Sequence, residues 1–322
     1  MAKVFVTRKL PGKALDKLAE EHDVEIYQED HPIPKAELIE AVKDAEVLIC
    51  LLTDTIDKEV INAGKKLKVI ANYAVGYNNV HVDWATLKDV GVLNTPGVLT
   101  DASADFAFAL LMAASRRVCE ADRYLRHNTW DGWAPMQFLG PQITGKTLGL
   151  VGMGRIGQVV AKRAQGFEMK ILYTNRQQID MSIERRLGAT FVELDELLEK
   201  SDFVSLHCPL TPETHHLIGK SAFEKMKSTA ILINTSRGPV VDESALVEAL
   251  KNGEIFGAGL DVFENEPDIH PELKTLENVI MAPHIGSASL ETREGMVNIL
   301  VTGIQRFLRG NPPPNLLNPE VL

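Results

Sequence analysis

Cysteine is scarce in this chain, and the few cysteines present form no recognisable pattern. Only Cys50, Cys119 and Cys208 occur among 322 residues, an odd number without CxxC spacing. A disulfide framework needs paired cysteines, so we expect none here. The sequence therefore predicts a protein of a reducing compartment, by default the cytoplasm.

The chain also lacks an excess of basic residues and any long apolar run. Its formal net charge of -10 and sequence pI of about 5.4 argue against nucleic acid or anionic lipid as a partner. No uncharged apolar stretch reaches membrane-spanning length, and the charged start MAKVFVTRKL does not resemble a secretory signal. A small anionic substrate would need a local positive group.

Length and hydrophobic pattern together indicate two domains of the α/β class. A single core stops growing at roughly 250 to 300 residues, and this chain has 322 residues of which 45% are hydrophobic. Apolar runs typical of strands buried on both faces occur at 3–7, 24–27, 46–52, 68–73 and 91–94. Helical patterns separate them near 12–20, 34–43, 57–64 and 82–90. This alternation predicts a first domain with a parallel sheet.

A second alternation follows an alanine-rich helix predicted at 102–118. Six strands are predicted there, at 147–152, 170–174, 202–207, 230–235, 257–262 and 279–284. The tail 289–309 reads as one helix that the prolines at 312–314 end, and we expect it to pack on the first domain. The prediction is a discontinuous domain, 1–99 with 287–322, and a domain 100–286, with hinges near Thr100 and Gly286.

A glycine-rich turn predicts a dinucleotide site in the second domain. The run Gly152-Met153-Gly154-Arg155-Ile156-Gly157 follows a predicted strand and opens a helix. In that context Gly152 would make the tight turn, Gly154 would let a pyrophosphate approach, and Gly157 would let helix and strand pack closely. The helix N-terminus suits an anionic ligand.

The residues after the next strand bear on the choice between NAD and NADP. An NAD site usually has a carboxylate there to bind the ribose hydroxyl, but this strand ends Tyr173-Thr174-Asn175-Arg176. Arg176 can pair with a 2'-phosphate, and Thr174 and Asn175 can donate hydrogen bonds to it. We therefore expect NADPH to be preferred. The alternative is that Arg176 is a solvated loop charge and that NADH also serves.

Three later strand ends carry Arg237, Glu266 and His284, a set suited to reducing a 2-oxo acid. Arg237 can bind a carboxylate through two parallel N–H bonds and polarise the carbonyl. His284 can donate the proton, and Glu266 beside it would raise its pKa and orient the ring. Each residue alone could be a surface ion pair, a loop cap or a solvated charge. No HxxxH, HxH or CxxC spacing is present, so no metal is expected.

The longer motifs around these residues resemble the D-isomer-specific 2-hydroxyacid dehydrogenases over nearly the whole chain. They are GMGRIG, HCPLTPETHHLIG, INTSRGPVVDESAL, GLDVFENEP and APHIGSAS. The resemblance implies a Rossmann-type cofactor domain and a flavodoxin-like substrate domain. It also implies that Arg237 binds substrate, that His284 is the acid/base, and that Glu266 is its partner.

The same resemblance assigns further contacts. Asp261 would hold the nicotinamide amide, and the backbone N–H groups of Val75 and Gly76 would bind the substrate carboxylate in a cleft between domains, although Gly76 could equally be a turn glycine. Packing near Leu51 and Trp133 would shape the substrate pocket. The remaining cofactor contacts are expected at Arg155, Ile156, His207, Pro209, Thr235, Ser236 and Gly286.

Several functions stay open at this point. The residues after the second strand and Trp133-Ala134-Pro135 are most similar to glyoxylate/hydroxypyruvate reductases, but D-lactate, phosphoglycerate and phosphite dehydrogenases share the family. A rival of another class is a nicotinamide-sensing, corepressor-like interaction protein, which fold alone does not exclude. The resemblance also implies a homodimer, with an arm from 130–138 reaching the partner, but aromatic residues there could equally fill a monomer's core.

Overall fold

The structure, a computed structural model, describes residues 1–128 and 130–322. The chain divides into two compact units. Met1–Leu99 and Ser287–Leu322 form unit one, and Thr100–Gly286 form unit two. Within the described residues, no helix is both long enough and apolar enough to cross a membrane.

Unit one is built on a five-stranded parallel sheet. Its strands are β1 (Lys3–Val6), β2 (Asp23–Ile26), β3 (Val47–Cys50), β4 (Val69–Asn72) and β5 (Gly91–Leu93). Their order across the sheet is β2-β1-β3-β4-β5, the doubly wound flavodoxin-like order. The connecting helices are α1 (Ala14–Glu21), α2 (Lys35–Val42), α3 (Lys58–Ala63) and α4 (Val82–Thr86). Every residue of β3 and β4 is buried, since helices cover both faces.

Unit two contains a seven-stranded parallel sheet. Its strands are β6 (Thr147–Val151), β7 (Lys170–Thr174), β8 (Ala189–Phe191), β9 (Phe203–Leu206), β10 (Ile231–Asn234), β11 (Gly257–Leu260) and β12 (Val279–Met281). They are ordered β8-β7-β6-β9-β10-β11-β12. The order reverses between β6 and β9, and ligands of such sheets bind at that point, outside the carboxyl ends of the strands.

Helices and short 3-10 turns connect and cover this second sheet. The helices are α5 (Thr100–Ser115), α6 (Val118–Arg126), α7 (Arg155–Gln165), α8 (Met181–Leu187), α9 (Leu194–Lys200), α10 (Lys220–Phe223) and α11 (Glu243–Asn252). Half of the sixteen residues of α5 are buried, and two ion pairs from Arg163, to Asp101 and Asp105, join α5 to α7. The 3-10 turns are Gly238–Val240 and Pro271–Thr275.

The last helix, α12 (Leu290–Leu308), belongs to unit one. It begins where the Ser289 hydroxyl accepts the N–H of Thr292, and it packs against α1, β4 and β5, as the sequence predicted. A 3-10 turn, Pro319–Val321, follows it. The buried Asn318 connects the C-terminal tail to β5 and to the end of α4. Its side chain accepts the N–H of Val92 at 2.8 Å and donates to Val90 O and Thr86 Oγ1, both at 2.9 Å.

The predicted fold class is confirmed, since both sheets are parallel and doubly wound, with a Rossmann-type strand order in unit two. Two details differ from the sequence prediction. Unit two has seven strands rather than six, because β8 is a three-residue edge strand too short to give a periodic signal. The helix predicted at 102–118 ends at Ser115, and α6 starts after Arg117, which adopts a left-handed conformation with φ of 52°.

Replacing Asn318 with alanine should destabilise unit one. The change leaves the buried N–H of Val92 and carbonyl of Val90 without partners, at a cost of about 1–3 kcal/mol for each unsatisfied group. We expect a loss of roughly 2–4 kcal/mol in the free energy of unfolding, measured by urea denaturation. Asn311→Ala, at an exposed position of the same tail, is the matched control. Equal midpoints for the two variants would contradict this role for Asn318.

Candidate active site

Each of the three glycines in the turn between β6 and α7 has a different structural role. Gly152 has φ of 101°, and a Cβ there would lie 2.6 Å from the nitrogen of Cys208. A Cβ on Gly157 would lie 2.2 Å from the carbonyl oxygen of Gly152, so glycine is required where helix and strand meet. A Cβ on Gly154 would meet nothing within 4 Å. The backbone at Gly154 therefore borders open space that a ligand can fill.

The start of α7 is suited to an anion. Among the described residues, no side chain caps the helix, and its first turn has no acidic residue, so N–H groups and the helix dipole are available to a phosphate. Arg155 is exposed at the first helical position, and Ile156 is half-buried beside it. These features fit a dinucleotide pyrophosphate, and the predicted contacts of Arg155 and Ile156 with it stay predictions.

The segment after β7 lies against the glycine turn. The Asn175 side-chain oxygen accepts the N–H of Met153 at 2.8 Å, and the N–H of Gly152 donates to the carbonyl of Thr174. Asn175 is thus partly occupied in holding the turn, which the sequence did not reveal. Arg176 is exposed. The hydrogen bond with Thr211 and, more weakly, the charge of Arg176 lower the pKa of Glu213.

At the end of β9, His207 lies beside the glycine turn. A Cβ on Gly152 would come within 2.7 Å of the His207 carbonyl carbon, and the His207 ring bonds to the Ser205 hydroxyl at 2.9 Å. Burial lowers the pKa of His207 to about 4. The ring is therefore neutral near pH 7. Pro209 is exposed, and its carbonyl accepts the hydroxyl of Thr214 at 2.6 Å.

Arg237 lies in a turn after β10 that the buried Asn234 organises. The Asn234 side chain donates to the carbonyl of Arg237 at 2.9 Å and accepts the N–H and hydroxyl of Ser236 at 3.0 and 2.8 Å. A Cβ on Gly238 would lie 1.8 Å from the Phe263 carbonyl oxygen, so this turn packs directly on the loop after β11. Sequence reasoning named Ser236 and Arg237 but missed Asn234 and Gly238.

Two observations at this turn bear on ligand binding. Burial lowers the pKa of the Arg237 guanidinium, against the opposing effect of the Glu266 charge; arginine still remains cationic at neutral pH. The hydroxyl of the neighbouring Thr235 is buried and has no hydrogen-bond partner among residues 1–128 and 130–322. A buried hydroxyl of this kind is expected to have a partner. A cofactor would supply one, which fits the predicted role of Thr235.

The structure brings His284 and Glu266, which the sequence predicted as an acid/base pair, within hydrogen-bond distance. Glu266, in the loop after β11, places Oε2 at 2.9 Å from Nδ1 of His284 and accepts the N–H of Phe263 with Oε1. Burial would raise the pKa of Glu266. The hydrogen bond and charge of His284, with smaller contributions from Phe263 and Arg237, outweigh it and lower the pKa. Glu266 is therefore a carboxylate that fixes the ring orientation.

Asp261, at the end of β11, holds the turn that carries His284. His284 has φ of 55°. This left-handed conformation is uncommon for residues other than glycine and persists where the surrounding structure enforces it. The two carboxylate oxygens of Asp261 accept the N–H groups of Ile285 and Gly286, both at 2.7 Å. Burial raises the pKa of Asp261, although these two N–H groups oppose the rise. The predicted contact of Asp261 with a nicotinamide amide stays a prediction.

In unit one, asparagine side chains organise the turns predicted to bind substrate. Leu51 follows β3, and its carbonyl accepts from Asn79 at 2.9 Å while its N–H donates to the buried carboxylate of Asp54 at 2.8 Å. Burial raises the pKa of Asp54. The backbone at Leu51 is therefore fixed from both sides.

The turn after β4 contains two backbone N–H groups that bear on substrate binding. Asn94 donates to the carbonyl of Val75 and Asn72 to that of Gly76, both at 2.9 Å. The N–H groups of Val75 and Gly76 donate to no acceptor in the described part of the chain. Adjacent free N–H groups of this kind can capture a carboxylate. Trp133, in unit two, is 82% exposed, and its predicted substrate contact stays a prediction.

Comparison with known proteins identifies the family of this chain. Residues 108–286 match the family described as D-isomer specific 2-hydroxyacid dehydrogenase, NAD binding domain. A glyoxylate reductase from Korarchaeum cryptofilum is 54% identical over 323 residues, covering 99% of this chain and 97% of that protein. The chain belongs to the D-isomer-specific 2-hydroxyacid dehydrogenase family. A nicotinamide dinucleotide is accordingly its cofactor.

Solved structures are similar to this chain over nearly its whole length. A protein from Thermus thermophilus is 48% identical with a TM-score of 0.92, covering 98% of this chain and 99% of the other. An NADPH-dependent glyoxylate/hydroxypyruvate reductase from Sinorhizobium meliloti, solved with NADP and malonate, is 30% identical with a TM-score of 0.87, covering 100% and 98%. The family fold thus extends over both units.

The low pKa of His207 makes a stability prediction. Its ordinary pKa is 6.5 and its folded pKa about 4, so the unfolded chain binds more protons between these values and stability falls as pH falls through that window. The side chain of the His207→Gln variant stays neutral. When the pH falls from 6.5 to 4, the free energy of unfolding of this variant should therefore decrease by roughly 2–4 kcal/mol less than that of the parent. Guanidinium unfolding at several pH values measures the difference.

The exposed His127 supplies the control for that comparison. A His127→Gln variant should show the same loss of stability on acidification as the parent protein. If the His207→Gln variant also follows the parent curve, the half-buried, neutral histidine at the end of β9 does not exist in solution.

Proposed function

We propose that this protein reduces glyoxylate and hydroxypyruvate to their 2-hydroxy acids, with NADPH as the preferred reductant. The observation that carries the proposal is the arrangement of Arg237, Glu266 and His284 after the neighbouring strands β10, β11 and β12. The relatives supply the substrate class, since the Korarchaeum protein is named a glyoxylate reductase. The Sinorhizobium protein is named a glyoxylate/hydroxypyruvate reductase.

The proposed chemistry needs a fixed cation, a proton donor and a group that orients the donor. When bound, the reduced nicotinamide would supply the hydride that the carbonyl carbon accepts. Arg237 binds the 2-oxo acid and polarises its carbonyl. His284 donates a proton from Nε2 to the developing alkoxide, because its Nδ1 is occupied by Glu266 at 2.9 Å. Glu266 also stabilises the imidazolium before the proton is given up.

Unit one contributes a carboxylate-binding turn in this proposal, which makes it the substrate domain. The free N–H groups of Val75 and Gly76 would bind the substrate carboxylate, and Leu51 would shape the pocket. The asparagines that hold the carbonyls of this turn would keep both N–H groups available. Unit two, with the glycine turn, would be the dinucleotide domain.

NADPH preference is supported by the absence of a carboxylate at the end of β7. Thr174, Asn175 and Arg176 stand where an NAD site usually has an acidic residue, and the exposed Arg176 guanidinium can pair with a 2'-phosphate. The Asn175 amide nitrogen can add a hydrogen bond while its oxygen holds Met153. The NADPH-dependence in the name of the Sinorhizobium protein points the same way.

Two broader proposals complete this picture. We retain the cytoplasm as the site of action, on the basis of cysteine usage. We also retain a homodimer with the 130–138 segment at the interface. Trp130, Trp133 and Met136 are exposed there, whereas Phe138 packs within unit two against Tyr124 at a ring distance of 5.3 Å.

Steady-state kinetics test the reaction and the role of His284 together. The parent protein should oxidise NADPH with glyoxylate and hydroxypyruvate, and much less with pyruvate or without acid. Asparagine tolerates the left-handed backbone, so His284→Asn removes the proton donor with little strain. It should lower kcat by roughly 10²–10⁴-fold while leaving the Kd for NADPH near the parent value.

The outcomes distinguish enzyme from sensor. His127→Asn, on the exposed surface, should keep the parental kcat. Tight NADPH binding by the parent without turnover of any acid would instead favour the nicotinamide-sensing protein. Parental turnover by His284→Asn would refute the proposed proton donor.

Arg176 tests the cofactor preference separately. Arg176→Ala should raise the KM for NADPH by roughly 10- to 100-fold, because a charge-assisted bond to phosphate contributes about 1.5–3 kcal/mol. The KM for NADH should change little. The neighbouring exposed Gln177→Ala is the control, and parallel changes for both cofactors would contradict a 2'-phosphate role.

A further inference from the structure

Two histidines and a glutamate outside the acid/base pair converge on the surface of unit two. His215 and His216 lie in the loop between β9 and α10, and Glu264 lies in the loop after β11. One donor atom from each lies within 4.8 Å of the other two. The proposed mechanism uses none of these three side chains.

The backbone fixes the position of His216 before any ligand binds. His216 has φ of 51°, a strained conformation for a residue other than glycine. Its N–H donates to the carbonyl of Pro239 at 2.8 Å, and Ile218 and Val240 continue this pairing at 3.1 Å. These backbone hydrogen bonds join the loop between β9 and α10 to the turn that follows Arg237.

Glu264 is held from the opposite side. Its Oε1 lies 2.7 Å from Nε2 of His216, while its Oε2 accepts the N–H of Glu243 at 3.3 Å and its N–H donates to the Glu243 carboxylate at 2.6 Å. The rings of His215 and His216 are stacked, with centroids 4.1 Å apart. Two imidazoles and one carboxylate are therefore gathered on two constrained loops.

We propose that His215, His216 and Glu264 bind a borderline divalent cation of the zinc class. Two histidines and a glutamate are a donor set found at zinc sites with an open coordination position, whereas hard cations such as Mg²⁺ prefer oxygen alone. Zinc bonds of about 2.0–2.1 Å place tetrahedral donors about 3.4 Å apart. The exposed ring of His215 can close the remaining distance by side-chain rotation.

The site would link two loops that serve the reaction. One contains Pro209 and follows His207; the other carries Glu266, two residues after Glu264. A bound cation would bridge these loops. In the described residues, the side chains of His216 and Glu264 already form a hydrogen bond between them. The sequence prediction of no metal relied on close ligand spacing, and Glu264 lies 48 residues from His216.

Isothermal titration of the chelator-treated full-length protein with zinc sulfate tests the site. The parent protein should bind one zinc ion saturably and should not bind Mg²⁺ in the same range. His215→Ala, His216→Asn and Glu264→Gln should each weaken zinc binding about tenfold or more. Asparagine suits the left-handed backbone at position 216, and glutamine can still accept the N–H of Glu243.

Two control variants locate the binding. His127→Ala and His284→Asn should keep the parental zinc affinity, and thermal unfolding of each variant without zinc checks that it is folded. Zinc should also raise the Tm of the parent and of both controls. Absence of saturable binding, or parental affinity in any of the three ligand variants, would overturn the proposal. So would loss of binding in His284→Asn, because zinc would then occupy the acid/base pair.

Discussion

The parallel direction of all seven strands in unit two is the constraint on which its active site depends. Each strand delivers its carboxyl end to the same edge of the sheet, so residues more than a hundred positions apart in sequence share one surface. Gly152 follows β6, Arg237 follows β10, and Glu266 and His284 follow β11 and β12. An antiparallel strand among them would send its following loop to the opposite edge. The strand topology therefore brings these residues to one edge of the sheet, whatever contacts their side chains make.

That edge must also be held rigid, and buried polar residues hold it. Asp261 keeps a carboxylate in a dry environment because two backbone N–H groups bind it, each charge-assisted bond contributing about 1.5–3 kcal/mol. In return it fixes the strained His284 turn. Asn234 plays the equivalent part for Arg237. The groups that would touch substrate therefore depend on neighbours whose hydrogen bonds are directed at the backbone.

The sequence predicted the fold because the fold depends on local signals, and the same signals led to the candidate site residues, whose roles stay predictions. Continuous apolar runs mark strands buried on both faces, and the glycine turn has a spacing that only a strand followed by a helix explains. Asn234, Gly238 and Thr235 show where this reasoning ends. The sequence could not show that Gly238 meets the Phe263 carbonyl or that the Thr235 hydroxyl lacks a partner within the described residues, since both facts depend on contacts between distant segments. Strand β8 was missed because a segment of three residues is too short to show the hydrophobic periodicity of a strand.

The two histidines with left-handed backbones illustrate how the same constraint serves different ends. His284 and His216 have φ of 55° and 51°, and each ring bonds to a glutamate in the loop after β11. Both conformations persist because backbone N–H groups in the same turns have fixed acceptors. His284 is half-buried, and its carboxylate partner Glu266 also interacts with the charge of Arg237. His216 is exposed and stacks on a second imidazole, that of His215. The same backbone geometry therefore holds one ring where we propose acid/base chemistry and the other ring where we propose a metal site.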